Sequence, residues 1–342
     1  MEIREQVPLS TLTTFKIGGP ARFVITIEKP EELPQALAFA KEQGLPFIPL
    51  GSGSNMLSPD EGVEAVFIRI GMHAISYKEE RAGFVQADAG ALWDDVVAFA
   101  VAHDLWGIEN LSAIPGTAGA AVVQNIGAYG AAIGSVISAV TAFDTVENKM
   151  VTFSATECRF GYRTSRFKEE RDRYVITDVS FALSATPQPN LSYRDLARRY
   201  AGVNAPALLD IRDAVILIRA TKFPPLDRYG TAGSFFLNPI VTEDERAAIA
   251  ARFPEMPLFD MPEGGIKVPL GWILDRALSL KGTRIGGAFL WAEQALVVAT
   301  DASATSADVV ALADDVRKKV FDATRIAIEP EVRIIDVHAR IR

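Results

Sequence analysis

Cysteine is almost missing from the 342-residue chain. Cys158 stands alone, so no intramolecular disulfide can form and the fold needs no oxidising compartment. A lone thiol of this kind reads as a buried packing group before it reads as a nucleophile. Histidine is nearly as scarce. His73, His103 and His338 are the full set, and no Cys/His spacing resembles a metal site, so no metal is expected. A cationic excess is missing too. The 35 Lys and Arg are outnumbered by 43 Asp and Glu, a formal net charge of -8. That balance argues against a nucleic-acid binder, because phosphate contacts need clustered cations. It leaves room for an anionic small molecule held by a few local charges.

A long apolar run is the next absence. Residues 111–143 carry no charge, yet Pro115, Gln124, Asn125 and a spread of glycines interrupt them. A membrane span needs about 20 mainly apolar residues in one helix. The stretch therefore reads as buried, glycine-rich loop. The opening Met1-Glu2-Ile3-Arg4-Glu5 is charged and lacks the apolar core of a signal peptide. A soluble, cytoplasmic protein is expected, without repeats or low-complexity tracts.

What the chain does contain is ample core material, 49% hydrophobic residues, enough for two or three domains. Leu33, Ala36, Leu37 and Ala40 form a helical stripe that Gly44 ends. Residues 47–50 predict a short buried strand and 63–70 another. Residues 75–87 predict a hairpin, and 92–105 a second amphipathic helix. Strands are expected near 137–143, 150–153 and 174–183, too irregularly spaced for a repeating βαβ array. Lys222-Phe223-Pro224-Pro225-Leu226 marks a junction. Beyond it, helices are expected at 243–252, 270–280 and 306–321. The last has Thr305 and Asp308 in capping-box spacing. Strands are expected at 234–237, 294–299 and 326–328. The fold class is thus α+β, divided into residues 1–220 in two lobes, with 325–342 returning to them, and a smaller α+β domain over 221–324.

Two segments carry the chemistry. Gly51-Ser52-Gly53-Ser54-Asn55 follows a strand and can present backbone N–H groups to a diphosphate. It is neither a P-loop nor G-x-G-x-x-G, and alone it reads as an ordinary strand exit. The second runs through Ile114-Pro115-Gly116-Thr117-Ala118-Gly119 to Gln124-Asn125-Ile126-Gly127-Ala128-Tyr129-Gly130. Two uncharged loops of small residues suit close approach to a large flat ligand, or tight packing between elements. From the residues alone these readings stand level.

These motifs resemble the UDP-N-acetylenolpyruvoylglucosamine reductase (MurB) family. The resemblance continues through Tyr162-Arg163-Thr164-Ser165, Gly233-Ser234-Phe235-Phe236-Leu237-Asn238-Pro239 and Glu329-Pro330-Glu331-Val332-Arg333. It spans nearly the whole chain in the family's order. It implies a vanillyl-alcohol-oxidase-like (PCMH-type) FAD-binding domain followed by a smaller substrate domain. It also implies non-covalent FAD, NADPH as co-substrate, and UDP-N-acetylglucosamine enolpyruvate as hydride acceptor, in a monomer. Gly51, Ser52, Gly53, Ser54 and Asn55, with Pro115, Gly116, Thr117 and Gly119, would hold the FAD diphosphate. Asn125, Ile126, Gly127 and Ala128 would lie along the flavin. Ser234 would be the proton donor, with Arg163 and Glu331 stabilising the charged intermediate. Leu191-Ser192-Tyr193-Arg194-Asp195-Leu196 resembles the family's tyrosine-bearing segment, making Tyr193 the cover over the nucleotide. Tyr129, Arg219, Lys222, Asn238 and Gln294 complete the implied substrate set. Two departures stand out: Thr13-Thr14-Phe15 replaces the usual Asn-Thr-Phe, and Trp291 sits where the family is often more polar. The competing readings are an oxidase of the same FAD fold and a non-catalytic nucleotide-sugar sensor. Many such oxidases attach flavin through a histidine, and no histidine lies in these motifs. A sensor has no need of a proton donor.

Overall fold

The structure, a computed structural model, describes residues 1–77 and 83–341. Its packing divides the chain into two compact units. The first holds Met1–Val7, Ala21–Ser52 and Glu64–Ala220, and the second Pro8–Pro20, Gly53–Val63 and Thr221–Arg342.

The first unit is built on two sheets. In one, the strands run in the order Glu2–Pro8, Pro20–Ile27, Val63–Ile70, Phe47–Leu50. The helix Leu33–Glu42 buries its expected stripe of Leu33, Ala36 and Ala40 against Phe23, Ile25, Val66 and Ile68. The other sheet has the order Lys149–Ser154, Ile137–Asp144, Tyr174–Ala182, Phe84–Asp88, Ile75–Tyr77, antiparallel throughout. Trp93, Val96, Val140, Val179 and Phe181 centre its core. Trp93 is fully buried, and its indole N–H donates to Leu111 O at 2.9 Å, so its polar end is satisfied. Truncating such a side chain to alanine costs about 3–5 kcal/mol. The expected hairpin pairs Ile75 with Ala87 and Tyr77 with Val85, while its turn, residues 78–82, lies outside the described residues.

In the second unit a sheet runs in the order Gly230–Ser234, Val297–Thr300, Ala288–Leu290, Arg284–Ile285. Phe15, Phe235, Phe236, Leu270, Leu274, Leu312 and Val316 share its core. The helix Ser306–Thr324 begins with the capping box read from Thr305 and Asp308, a device worth about 1 kcal/mol.

Several elements differ from their sequence expectation. Residues 270–280 are a single turn of helix, Leu270–Trp272, followed by a wider π-helical turn over Ile273–Ala277. The strand expected at 234–237 instead ends at Ser234. No strand forms over 326–328; the short strand is Arg333–Ile334, parallel to Met56–Leu57. That pairing groups residues 325–342 with the second unit, not the first. Within the uncharged stretch a helix, Ala118–Gln124, interrupts the loops. The helices Arg194–Arg199 and Leu208–Lys222 have no counterpart in the sequence reading. In the longer one, exposed Leu209 and Leu217 obscure the buried stripe of Leu208, Ile211 and Val215. Among the described residues no helix is long and apolar enough to cross a membrane.

Candidate active site

The Gly51–Asn55 segment can be tested against an anionic ligand. Ser52 Oγ is buried with no hydrogen-bond partner among the described residues. The amides of Ser52, Gly53 and Ser54 likewise make no hydrogen bond to a described residue. A buried hydroxyl and consecutive unspent amides are what a diphosphate oxygen requires. A Cβ at Gly51 would lie 2.8 Å from Thr117 Oγ1 and 3.2 Å from Ala120 Cβ, so a larger residue there would require these side chains to shift. These residues therefore fit the FAD diphosphate.

The Pro115–Gly119 turn contributes differently. The Ala118 and Gly119 amides donate to Ala91 O and Ala89 O at 2.9 Å each, and the Ala120 amide to Thr117 Oγ1 at 3.5 Å. The first turn of the helix Ala118–Gln124 thus spends its donors inside the protein. Gly119 also meets Ala89, whose Cβ would stand 2.8 Å from an added side chain. Tight packing, the competing reading of this loop, explains these positions.

Beyond that helix, Asn125 takes a left-handed conformation (φ 42°). Its amide donates to Gly161 O at 2.7 Å and its oxygen accepts from Gly134 N at 3.0 Å. Ile126 donates to Ala121 O. Gly127 and Ala128 then pair with Ala132 and Ala131 in a minimal hairpin. Tyr129 and Gly130 form its two-residue turn, both with positive φ (50° and 85°), as the tight hairpin geometry demands. Tyr129 has a bulky side chain in a region glycine prefers, so neighbouring contacts must hold it there. Three do. Asn110 Nδ2 donates to Tyr129 O at 2.7 Å. The Tyr193 ring meets the Tyr129 ring edge-on at 4.9 Å. The Arg219 guanidinium hydrogen-bonds the Tyr129 side chain. Burial pulls the Arg219 guanidinium below its ordinary value, against the opposing pull of Tyr129 and Asp94. Tyr129, Tyr193 and Arg219, distant in sequence, are thereby brought into one cluster.

Asn110 had no signal in the sequence, because an uncharged amide amid small residues looks like loop. It is buried and also donates to Asn190 O at 2.9 Å, tying the Tyr129 turn to the segment that leads into Tyr193. Arg212 was equally silent. It forms a two-pronged ion pair with Asp94 at 2.8 and 2.9 Å. Burial raises the Asp94 carboxyl, but Arg212, the Ala113 amide and Arg219 together hold it below its ordinary value.

Arg163 lies in the first unit, half-buried, on a tight turn closed by mutual hydrogen bonds between Gly161 and Thr164 at 3.1 and 3.2 Å. Its own φ is 55°.

Ser234 and Glu331 both lie in the second unit, Ser234 at the end of the strand Gly230–Ser234 and Glu331 two residues before the strand Arg333–Ile334. Ser234 pairs with Val297 after a register shift between Thr231 and Ser234, a span that includes Gly233 with φ 77°. Such a bulge re-aims the side chain that follows it. The Glu331 amide donates to Phe235 O at 2.8 Å, placing Glu331 beside the residue after Ser234. Asn55 Nδ2 donates to Glu331 O at 3.1 Å. Asn238 Oδ1 accepts from Leu270 N at 3.0 Å. Gln294 Oε1 would lie 3.3 Å from a Cβ on Gly271, so both side chains flank the 270–271 peptide. Lys222 ends the helix Leu208–Lys222, half-buried. Among the described residues no cluster of His, Cys, Asp or Glu is placed to hold a metal ion.

Comparisons with known proteins agree with these landmarks. The FAD binding domain family matches residues 21–151, and the UDP-N-acetylenolpyruvoylglucosamine reductase C-terminal domain family matches residues 224–335. A UDP-N-acetylenolpyruvoylglucosamine reductase of Xanthomonas axonopodis pv. citri is 38% identical over 342 residues, covering 98% of this chain and 97% of the relative. One from Neisseria meningitidis is 38% identical over 335 residues, with 96% of each covered. The crystal structure of the Thermus caldophilus reductase superposes with a TM-score of 0.68 at 24% identity, over 97% of this chain and 99% of that one, and shares the fold. With an FAD domain in front, the matching C-terminal domain behind, and near-complete relatives of one name, the chain belongs to the UDP-N-acetylenolpyruvoylglucosamine reductase family.

Proposed function

We propose that the chain reduces UDP-N-acetylglucosamine enolpyruvate to UDP-N-acetylmuramate in peptidoglycan precursor synthesis, as a cytoplasmic monomer with NADPH as co-substrate. One observation carries the reading: 38% identity to a reductase of this name over 98% of the chain. Held without a covalent link by Ser52 Oγ and the amides around it, FAD would supply two-electron hydride chemistry between NADPH and the methylene carbon of the enolpyruvyl ether.

This chain's residues manage the charge that results. Negative charge develops on the adjoining carbon and its carboxylate. Arg163 grips the carboxylate, since a planar guanidinium offers it two parallel hydrogen bonds. The Ser234 hydroxyl gives its proton to the carbon; serine is a weak acid, so neighbours must favour the donation. Glu331 assists while protonated or through a neighbour, because a bare carboxylate would repel the developing charge. Tyr193 covers the uridine nucleotide, backed by Tyr129 and Arg219. Lys222 and Asn238 meet the diphosphate and uracil region, with Gln294 beside them. Ser52 Oγ and the amides around it hold the FAD diphosphate.

An anaerobic absorbance experiment tests the reading. Purified protein is reduced with stoichiometric NADPH, then given the enolpyruvyl substrate. The yellow colour is expected to bleach and to return on adding that substrate. Return only on admitting oxygen identifies an oxidase instead, and a protein without flavin removes the FAD assignment. Tight nucleotide-sugar binding without NADPH oxidation identifies a sensor.

A further inference from the structure

Arg163 stands on a strained turn, and the structure shows what holds that turn. The end of the helix Ala118–Gln124 and the residue after it meet the 161–168 segment at three consecutive positions. Ser165, fully buried, donates its hydroxyl to Val123 O at 2.8 Å. Lys168 Nζ donates to Gln124 Oε1 at 3.0 Å and to Arg163 O at 2.8 Å. Asn125 Nδ2 donates to Gly161 O at 2.7 Å, while Gly134 N anchors its oxygen at 3.0 Å. The carbonyls at the front and near the back of the turn are therefore each held by a side chain.

We infer that Lys168 is a positioning residue for Arg163: its ammonium fixes the Arg163 carbonyl against Gln124 and so aims the guanidinium. This rests on the reading of Arg163 as the carboxylate-binding cation. The physical reason is the backbone. A non-glycine residue at φ 55° costs of order 1–3 kcal/mol and persists only where its surroundings over-determine it. A charged donor on the carbonyl of that very residue is a strong constraint of this kind. Both of these Lys168 bonds run to neutral carbonyl oxygens of the first unit, so what they supply is geometry. Without it the turn can relax, and the long Arg163 side chain carries the change to its tip.

The test is a rapid-mixing study of Lys168→Met, Arg163→Ala and the double variant, each prereduced with NADPH. Lys168→Met is expected to slow substrate-dependent flavin reoxidation roughly 10- to 100-fold, the scale of a misplacement of about 1 Å. Flavin reduction by NADPH and flavin content should stay near wild type. In the Arg163→Ala background the Lys168→Met change should add less than about twofold, because coupled residues are not additive. Lys168→Arg, which keeps the donors, should recover most of the rate. Gln124→Ala, which frees only the far end of Lys168, should show a weaker form of the same pattern. Hydrogen exchange at the Gly161 and Thr164 amides should quicken in Lys168→Met, an observable independent of turnover. Equal slowing by Lys168→Met with or without Arg163 would overturn the inference, as would equal slowing of the NADPH step. If Arg163→Ala itself reoxidises normally, the reading of Arg163 fails first and the inference falls with it.

Discussion

Asn55 Nδ2 donates to the main-chain oxygen of Glu331 at 3.1 Å, across 276 residues of sequence. Arg333 N returns a bond to Asn55 O at 3.1 Å, so Asn55 is clasped to the segment that carries Glu331. A residue expected to touch FAD is thereby also a support for a candidate catalytic group. Asn55→Ala leaves the Glu331 carbonyl without this donor, and a loss of about 1 kcal/mol is expected. Urea unfolding measures it. An unchanged midpoint would show that the bond contributes nothing.

Ser234→Ala separates the two halves of the reaction. A register shift between Thr231 and Ser234 precedes this hydroxyl, and the role proposed for it is proton delivery to the substrate carbon alone. Flavin reduction by NADPH should remain near normal, while reoxidation by substrate slows about 10²- to 10⁴-fold, the usual contribution of a positioned acid. Normal substrate turnover in stopped flow removes the role.

Tyr193 packs edge-on against Tyr129 at 4.9 Å yet remains exposed. Such a pair contributes about 0.5–1.5 kcal/mol, enough to order a covering segment. Tyr193→Ala should raise the apparent KM for the nucleotide sugar about tenfold and change the KM for NADPH little. Equal shifts for both substrates argue that Tyr193 does not cover the nucleotide.

Glu109 offers a pH signature. Burial pushes its carboxyl above the ordinary value of 4.5, opposed by the amides of Gly107, Glu109 and Ile108. The neutral form is thus the one the fold favours. Its stabilising contribution is fully present below pH 4.5 and is lost as pH rises through the raised folded value. Glu109→Gln, which cannot ionise, should gain stability relative to the parent between that pH and neutrality. Paired urea titrations at the two ends measure the difference, and a flat difference excludes the effect.

Cys158 is fully buried, and burial first, then Glu157, pushes its thiol up to about 11, with Arg166 opposing. Iodoacetamide at mildly alkaline pH should leave it unmodified in the folded protein and label it in urea. Rapid labelling of the native state would contradict the packing role read from its isolation in the sequence.

Local structure was legible where one physical signal dominates. The stripe of Leu33, Ala36 and Ala40, the Thr305–Asp308 capping box and the buried strand over 63–70 are set by residues a few positions apart. Legibility failed where a distant partner decides. Arg333–Ile334 becomes a strand because Met56–Leu57 lies beside it, and no pattern within 326–334 announces that partner. The helix Leu208–Lys222 was hidden because exposed Leu209 and Leu217 blur its apolar face, and Arg194–Arg199 because so short a helix buries Leu196 alone.

The candidate site divides the same way. Its candidate residues (Arg163, Ser234, Glu331 and the Gly51–Asn55 loop) were named from motifs that resemble a family, short strings that chain order preserves. Their supports were not. Asn110, Lys168 and Arg212 are ordinary polar residues until folding places Asn110 on Tyr129 O, Lys168 on Arg163 O and Arg212 on Asp94. Sequence alone determined the α+β class, the missing disulfides and the family's motifs. Only tertiary structure decided which amides and carbonyls hold those motifs in place, since a hydrogen bond depends on distance and direction, and chain order encodes neither.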